Sequence, residues 1–419
     1  MPTYLLGHDL EGCRPVRPNQ LRVALFSGNY NYQRDGVNNA LNRLVGYLER
    51  QGVAVRVYSP TSDTPAFAPT GTLIPVPSVR IPGRGDYRFA YTFDAETRRD
   101  LESFAPNLIH LSVPDRLAFF VKKWAIGRGI PVVASVHTRF DTYLSYYGMP
   151  EWVDAILGDV MRRLYADLPV VYAPSESMAD QLRADGMHDN IKIWSRGVDK
   201  DVFNPGRRSL DWRRGLGIGD DERVIAFVGR LVMEKGLDVF ADAVDRLRAN
   251  GVAHRVLIVG DGLAREWAEA RMPSAIFTGQ LAGADLARAY ASSDMLFNPS
   301  TTETFGNVTL EAMACGLPVV GADATGTRSL VHHGSSGMLV TPGDIAGYAA
   351  ALTAYLTDDR AAAAAGEAGL ALSRQYEWDE INQTMLDNYL TTGAAPVVAP
   401  PSVFTPIVER VVTRLRTAA

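Results

Sequence analysis

The sequence predicts an α/β protein made of two doubly wound parallel sheets. Three observations carry this. Apolar residues recur in short unbroken runs rather than in alternation, as strands covered on both faces require. Stretches with helical apolar spacing separate these runs at the length of βαβ crossovers. The pattern then restarts after Phe203-Asn204-Pro205, as a second sheet would. A chain of 419 residues also exceeds what one core ordinarily holds.

In chain order, residues 21–26 form the first strand and Ser27-Gly28 its loop. A helix opens at Asp35-Gly36-Val37, carries Leu41, Leu44, Val45 and Leu48 on one face, and stops near Gly52. Residues 53–58 are the second strand. Further strands fall at 108–111, 131–136 and 170–173, with helices at 117–126 and 176–182. In the second half, strands occupy 224–228, 255–259, 275–278, 295–298 and 318–321. Helices occupy 237–247, 285–290, 345–356, 361–372 and 381–390. This divides the chain into a lead (1–20), a first domain (21–200), a second domain (201–378), a terminal helix (379–392) and a tail (393–419). Residues 394–406 contain four prolines and read as a linker. Beyond them Ile407, Val408, Val411, Val412 and Leu415 face away from Arg410, Arg414 and Arg416. That short basic amphipathic segment suits an arm docked on the body or a partner subunit, or a foot on a membrane surface.

Composition narrows the function. A 47 % apolar and 21 % charged chain is that of a globular enzyme. Two cysteines, Cys13 and Cys315, exclude a disulfide framework and a cysteine-cluster metal site, and suit a reducing cytosol. The first residues lack the basic and apolar regions of a signal peptide. The most apolar stretch, 117–136, is interrupted by Lys122, Lys123 and Arg128, so no membrane span is expected. The net charge of −5 argues against a nucleic-acid partner. Residues 1–200 hold 23 basic against 21 acidic side chains and the remainder 19 against 26, leaving the first half suited to an anionic membrane surface. Phe119, Phe120 and Trp124 beside those lysines are candidates for such contact, or belong to a crossover helix on the sheet.

The chemistry concentrates in residues 300–320, STTETFGNVTLEAMACGLPVV. Small hydroxyl residues lead through Gly306 into an apolar helix, whose first N–H groups would seat an anionic phosphate. Arg230 and Lys235 follow the strand 224–228, where two cations would neutralise a departing diphosphate. A surface salt bridge with Glu234 is the plainer alternative for them. Glu303 and Glu311 flank the turn. Their spacing does not aim both at one bond, so they read as hydroxyl acceptors rather than a hydrolytic pair; Glu311 alone is equally an exposed helix glutamate. His137 ends the strand 131–136 at the crevice. Asp199-Lys200-Asp201 spells a metal-binding D-x-D, but it lies between domains and reads as structural. Gly260-Asp-Gly262 lacks the third glycine of a dinucleotide fingerprint, because Arg265 stands there.

Four ordered motifs, Phe227-Val-Gly-Arg230, Glu234-Lys235-Gly236, Val259-Gly-Asp-Gly262, and Glu303 with Glu311, give the chain a resemblance from about Leu21 to Tyr389. It resembles the retaining glycosyltransferases of family 4, which have the GT-B fold. The resemblance implies two Rossmann-like domains facing across a cleft, with a C-terminal helix returning to the first. It implies that Arg230 and Lys235 grip a nucleotide diphosphate, that Glu303 meets the donor hexose and Glu311 the ribose, and that His137 lies near the anomeric carbon. These make His137, Arg230, Lys235 and Glu303 the catalytic candidates. Gly36, Gly229, Gly260, Gly262, Thr304, Phe305, Gly306, Asn307 and Val308 complete the donor-binding set. Asp35, Asp141, Tyr143 and Arg196 are acceptor-side candidates.

The implied reaction moves a hexose from GDP-mannose or a UDP-hexose (UDP-glucuronate included) to an acceptor hydroxyl, with no metal and no cofactor. The region from Pro75-Val-Pro-Ser-Val-Arg80 to Tyr87-Arg-Phe is similar to the lipid mannosyltransferase and sulfoquinovosyl-diacylglycerol synthase subgroup, which implies a lipid or glycolipid acceptor. The location it implies is cytoplasmic, peripheral on the inner face of the membrane. Transfer to a soluble sugar or polysaccharide, a GT-B epimerase, and a non-catalytic sugar-nucleotide binder are the rival readings. A phosphorylase would need a pyridoxal-bearing lysine, and the sequence offers no site for one.

Overall fold

The computed structural model describes residues 17–33, 35–81, 84–138 and 151–393. Asp141, Tyr143, Cys13 and the tail beyond Gly393 lie outside these residues.

The first half builds β1 (Arg22–Phe26), α1 (Gly36–Arg50), β2 (Ala54–Ser59), β3 (Thr72–Pro75), β4 (Ser78–Ile81), β5 (Arg84–Ala90), α2 (Ala95–Phe104), β6 (Leu108–Leu111), α3 (Arg116–Ile126), β7 (Val132–Ser135), α4 (Glu151–Tyr165), β8 (Val171–Ala173), α5 (Glu176–Ala184) and β9 (Ile191–Ile193). Seven of the strands form a parallel sheet in the order β3-β2-β1-β6-β7-β8-β9. β4 and β5 pair antiparallel as a separate hairpin.

The second half builds α6 (Leu210–Gly215), β10 (Val224–Val228), α7 (Leu237–Ala249), β11 (Arg255–Val259), α8 (Arg265–Arg271), β12 (Ile276–Gly279), α9 (Gly283–Ala291), β13 (Met295–Asn298), α10 (Asn307–Ala314), β14 (Val319–Ala322), α11 (Thr325–Leu330), β15 (Gly337–Val340), α12 (Ile345–Thr357) and α13 (Asp359–Ser373). Its parallel sheet runs β12-β11-β10-β13-β14-β15. In both sheets the strand order reverses beside the first strand, between β1 and β6 and between β10 and β13. Open α/β sheets bind ligands beyond the carboxyl ends of strands at such points.

Continuous apolar runs form the central strands because helices cover both faces. In β1, Val23, Ala24 and Leu25 are fully buried. The helix α3 also packs inward. Trp124 is buried, and Lys122 sends its ammonium beneath α4 to donate to Leu164 O at 2.7 Å. Of the aromatic residues considered for a membrane, only Phe120 stays well exposed. No helix among the described residues is long and apolar enough to cross a membrane.

The last helix, α14 (Trp378–Gly393), leaves the second sheet and packs along α1. Its Met385, Leu386 and Tyr389 join a core cluster with Leu21, Leu41, Leu44 and Val133 of the first half. The crossing segment 196–204 is pinned on the way. Val198 N donates to Tyr376 O (3.0 Å), Arg43 pairs with Asp199 (3.3 Å), and Lys200 binds Arg374 O (2.7 Å). Asp199 of the D-x-D, and Lys200 between its two aspartates, thus help hold the two halves together.

Candidate active site

The loops beyond the two switch points face one another and enclose a cavity of about 1390 Å³. One wall is built from Ser27, Gly28, Asn29, Asp35 and Ser112–Asp115 of the first half, together with His137; the other carries Arg230, Glu234, Lys235 and Thr301–Thr304.

Beyond β10 the chain makes a 3-10 turn, Met233–Lys235, which Gly236 closes at φ 73 before α7 begins. A left-handed residue is needed there, and glycine adopts it without steric cost. The turn brings Lys235 Nζ to 2.7 Å from Glu303 Oε1, with both side chains about one-fifth exposed at 22 % and 18 %. The charge of Arg230 reaches Asp35 on the opposite wall. Glu303 is held by its own backbone, since Thr325 Oγ1 (2.7 Å) and Gly326 N (2.8 Å) both donate to its carbonyl. Gly306, at φ 98, then opens α10 with no side-chain cap, leaving its first amides for a ligand.

Asp35 caps α1, accepting from Asn38 N at 2.8 Å. Burial pushes its carboxyl above the usual range, while the α1 amides and Arg230 oppose the shift. The walls touch at several points. Thr304 Oγ1 donates to His137 O (3.0 Å), and Ser175 Oγ donates to Thr304 O (2.7 Å). A Cβ at Gly36 would fall 2.1 Å from Asn307 Nδ2, so this glycine admits the opposite wall.

Several candidates sit otherwise than their sequence context implied. Arg196, expected on the acceptor side, is buried. It donates to Trp194 O (2.8 Å), Ser195 O (3.0 Å) and His137 Nδ1 (2.7 Å), so it supports the wall from behind. Because a guanidinium can only donate, His137 Nδ1 must accept. The ring proton is then on Nε2, which donates to Ser135 Oγ at 2.8 Å. Both ring nitrogens therefore face inward, and the carbonyl is what His137 offers to the opposite wall.

Glu311 is outside the cavity lining, accepts from Tyr290 Oη at 3.1 Å, and has its carboxyl pushed up by burial to about 7. Phe305 packs against Tyr376 instead of opening onto the cleft. Gly260 and Gly262 serve packing: a Cβ would lie 1.9 Å from Gly229 O at the first and 2.4 Å from Leu231 O at the second. Gly229, Asn307 and Val308 border the same loops without lining the cavity.

Asp115 and Arg88 are among the cleft residues that escaped the sequence reading. Asp115 caps α3 through Ala118 N (2.8 Å), and burial lifts its carboxyl to about 7. Asp115 placed directly before an apolar helix was the available signal. Arg88 enters from β5, whose polar composition hid the hairpin.

Residues 34–202 match the family described as Glycosyltransferase Family 4, and residues 222–358 match Glycosyl transferases group 1. A GDP-mannose-dependent alpha-mannosyltransferase of Mycobacterium tuberculosis is 32 % identical over 88 % of this chain and 96 % of its own. The chain belongs to glycosyltransferase family 4. This transferase is also 30 % identical to sulfoquinovosyl transferase SQD2 of Arabidopsis thaliana, over 85 % of this chain and 71 % of that protein. Its fold is shared with sucrose-phosphate synthase of Thermosynechococcus elongatus, at a TM-score of 0.73 and 20 % identity over 88 % and 98 % of the two chains. It is a GT-B hexosyltransferase that takes its sugar from a nucleotide sugar.

The buried histidines of the transferase give a pH prediction. Burial pushes His110 down to about 3, and burial together with Arg196 pushes His137 well below its ordinary value. Both stay neutral when folded, whereas the unfolded chain protonates them below about 6.5. Their contribution to stability is therefore full above that pH and is lost as pH falls through and below it. Histidine ¹⁵N spectra should show His137 as the neutral Nε2–H tautomer from pH 5.5 to 8. A titration within that range would refute the arrangement.

Proposed function

We propose that the enzyme transfers mannose from GDP-mannose, with retention, to a hydroxyl of a membrane lipid or glycolipid, and that it needs no metal. The observation that carries this is the meeting of Arg230, Lys235 and Glu303 at one switch point with Asp35 and His137 at the other. The leaving group is a diphosphate, so the catalytic demand is to stabilise negative charge as the C1–O bond breaks. Arg230 and Lys235 meet it. Glu303 accepts from sugar hydroxyls and holds Lys235 in place. The acceptor oxygen attacks C1 from the face the diphosphate leaves, passing its proton to a departing phosphate oxygen. Glu311 would reach a ribose only by exchanging its bond from Tyr290.

The named mannosyltransferase relative supports GDP-mannose as donor. An amphiphilic acceptor is supported by the apolar part of the first wall, where Phe89, Val113, Pro114, Leu157, Val160 and Met161 line the cavity. Such an acceptor would bring the enzyme to the inner face of the cytoplasmic membrane.

A thermal-shift panel tests the donor. Bound ligand at a hundred times its Kd adds about 2.7 kcal/mol of stability, so GDP-mannose should raise the melting temperature well above UDP-glucose or UDP-glucuronate. Equal shifts from the UDP sugars would overturn the donor assignment.

A further inference from the structure

Behind His137 runs a continuous line of buried polar side chains. Ser135 Oγ lies 2.8 Å from His137 Nε2 and 2.7 Å from His110 Nε2, and His110 Nδ1 lies 2.5 Å from Tyr389 Oη. With the proton of His137 fixed on Nε2, donation can run in one direction along the line to Tyr389 Oη. His137 donates to Ser135, Ser135 donates to His110 Nε2, and His110 Nδ1–H donates to Tyr389. His110 and Tyr389 are fully buried, and Ser135 is 3 % exposed. Aromatic edges enclose the line: Trp194 lies 5.9 Å from His110 and 5.6 Å from His137, and Tyr172 lies 6.3 Å from His110.

Polar side chains in a sheet core are costly unless every bond is made, and a completed set holds its members in one geometry. This set joins segments far apart in sequence. His110 is on β6, Ser135 and His137 are on and just after β7, Arg196 begins the crossing between domains, and Tyr389 is on the helix that returns. The end that reaches the cleft is His137, whose carbonyl touches Thr304 beside Glu303.

We propose that Tyr389 and His110 are positioning residues for sugar transfer, acting through Ser135 to hold His137 at the cleft wall. The returning helix thereby sets the geometry of the first wall against the donor. This rests on the cleft being the transfer site. Removing the Tyr389 hydroxyl leaves His110 Nδ1 without its partner, frees the imidazole to turn, and loosens His137 without touching the donor grip. Small misplacements of this kind slow the chemical step far more than they weaken binding.

The test is Tyr389→Phe in the full chain, with Tyr172→Phe as a control. Tyr172 packs in the same aromatic box, 6.5 Å from Tyr389, but is no member of the line. GDP release is followed with GDP-mannose as donor and monoglucosyl dioctanoylglycerol as acceptor, at a temperature where all variants are folded. Tyr389→Phe should lower kcat about tenfold while KM for GDP-mannose stays within about twofold. Tyr172→Phe should leave both unchanged, and Ser135→Ala should reproduce the kcat loss. Equal kcat values for wild type and Tyr389→Phe, or equal losses in the two tyrosine variants, would overturn the proposal. A wild type that releases no GDP would instead count against the donor or acceptor named for the cleft.

Discussion

Lys235→Ala should lower kcat/KM for the donor by about 10²- to 10³-fold, the loss that follows removal of one group stabilising a leaving anion. Lys235 is a cation of the cleft wall, fixed at 2.7 Å by Glu303. Holding it there lowers the ordering that donor binding must supply. The same pair predicts an asymmetry in stability. Neither side chain is deeply buried, so breaking the ion pair should change folding free energy by only about 1 kcal/mol or less. Activity and stability should therefore part company in Lys235→Ala and in Glu303→Ala alike. A double-mutant cycle on steady-state kinetics and urea unfolding reads both. Turnover within threefold of wild type in Lys235→Ala would remove this residue from the mechanism.

Gly260→Ala should be the more damaging change to the fold. Gly260 sits at φ 145, and a methyl there would lie 1.9 Å from the carbonyl oxygen of Gly229. That neighbour is backbone and cannot rotate away. The loop beyond β10 must shift, breaking Gly229 N to Val259 O and Leu231 N to Asp261 O, at 3.0 and 2.9 Å. Backbone strain with forced displacement costs about 3 kcal/mol or more. Because the displaced loop carries Arg230 and Lys235, affinity for the nucleotide sugar should fall as well. Gly251→Ala is the comparison: its φ of 70 is also positive, but nothing lies within 4 Å, so only about 1 kcal/mol is expected. Equal urea midpoints for the two variants would contradict the packing described for Gly260.

The strands that frame the cleft were legible in the sequence because a parallel strand covered on both faces shows as an unbroken apolar run. Val224–Val228 and Met295–Asn298 are such runs. Edge and accessory elements leave no such trace. β5 reads Arg-Gly-Asp-Tyr-Arg-Phe-Ala, and β9 is three residues with Lys192 exposed at its centre. Among the site residues, the ones legible to sequence reasoning were those whose chemistry needs a free charged end, such as Lys235 and Glu303. Residues that work from behind were not. His110 lies within an apolar run and Tyr389 within a terminal helix, and only the folded chain brings them together. Arg196 shows the converse error. An arginine at a domain junction suggests a ligand, but three acceptors behind the wall already bind it. Gly260 and Gly262 were visible as special positions, yet a glycine that admits a neighbouring loop and one that admits a nucleotide are written identically.

The path of α14 has a consequence for how the protein is made. The core of the first sheet includes Met385, Leu386 and Tyr389, and Tyr47 on α1 binds Gln383, 336 residues later. During synthesis the first half emerges long before the helix that completes it. The sheet of the second half closes with β15, and α12 and α13 follow it at once. The half translated first is thus the one finished last. Until then Tyr47 on α1 and His110 on β6 lack the partners this helix brings, buried surface left open to ribosome-associated chaperones or to a neighbouring nascent chain.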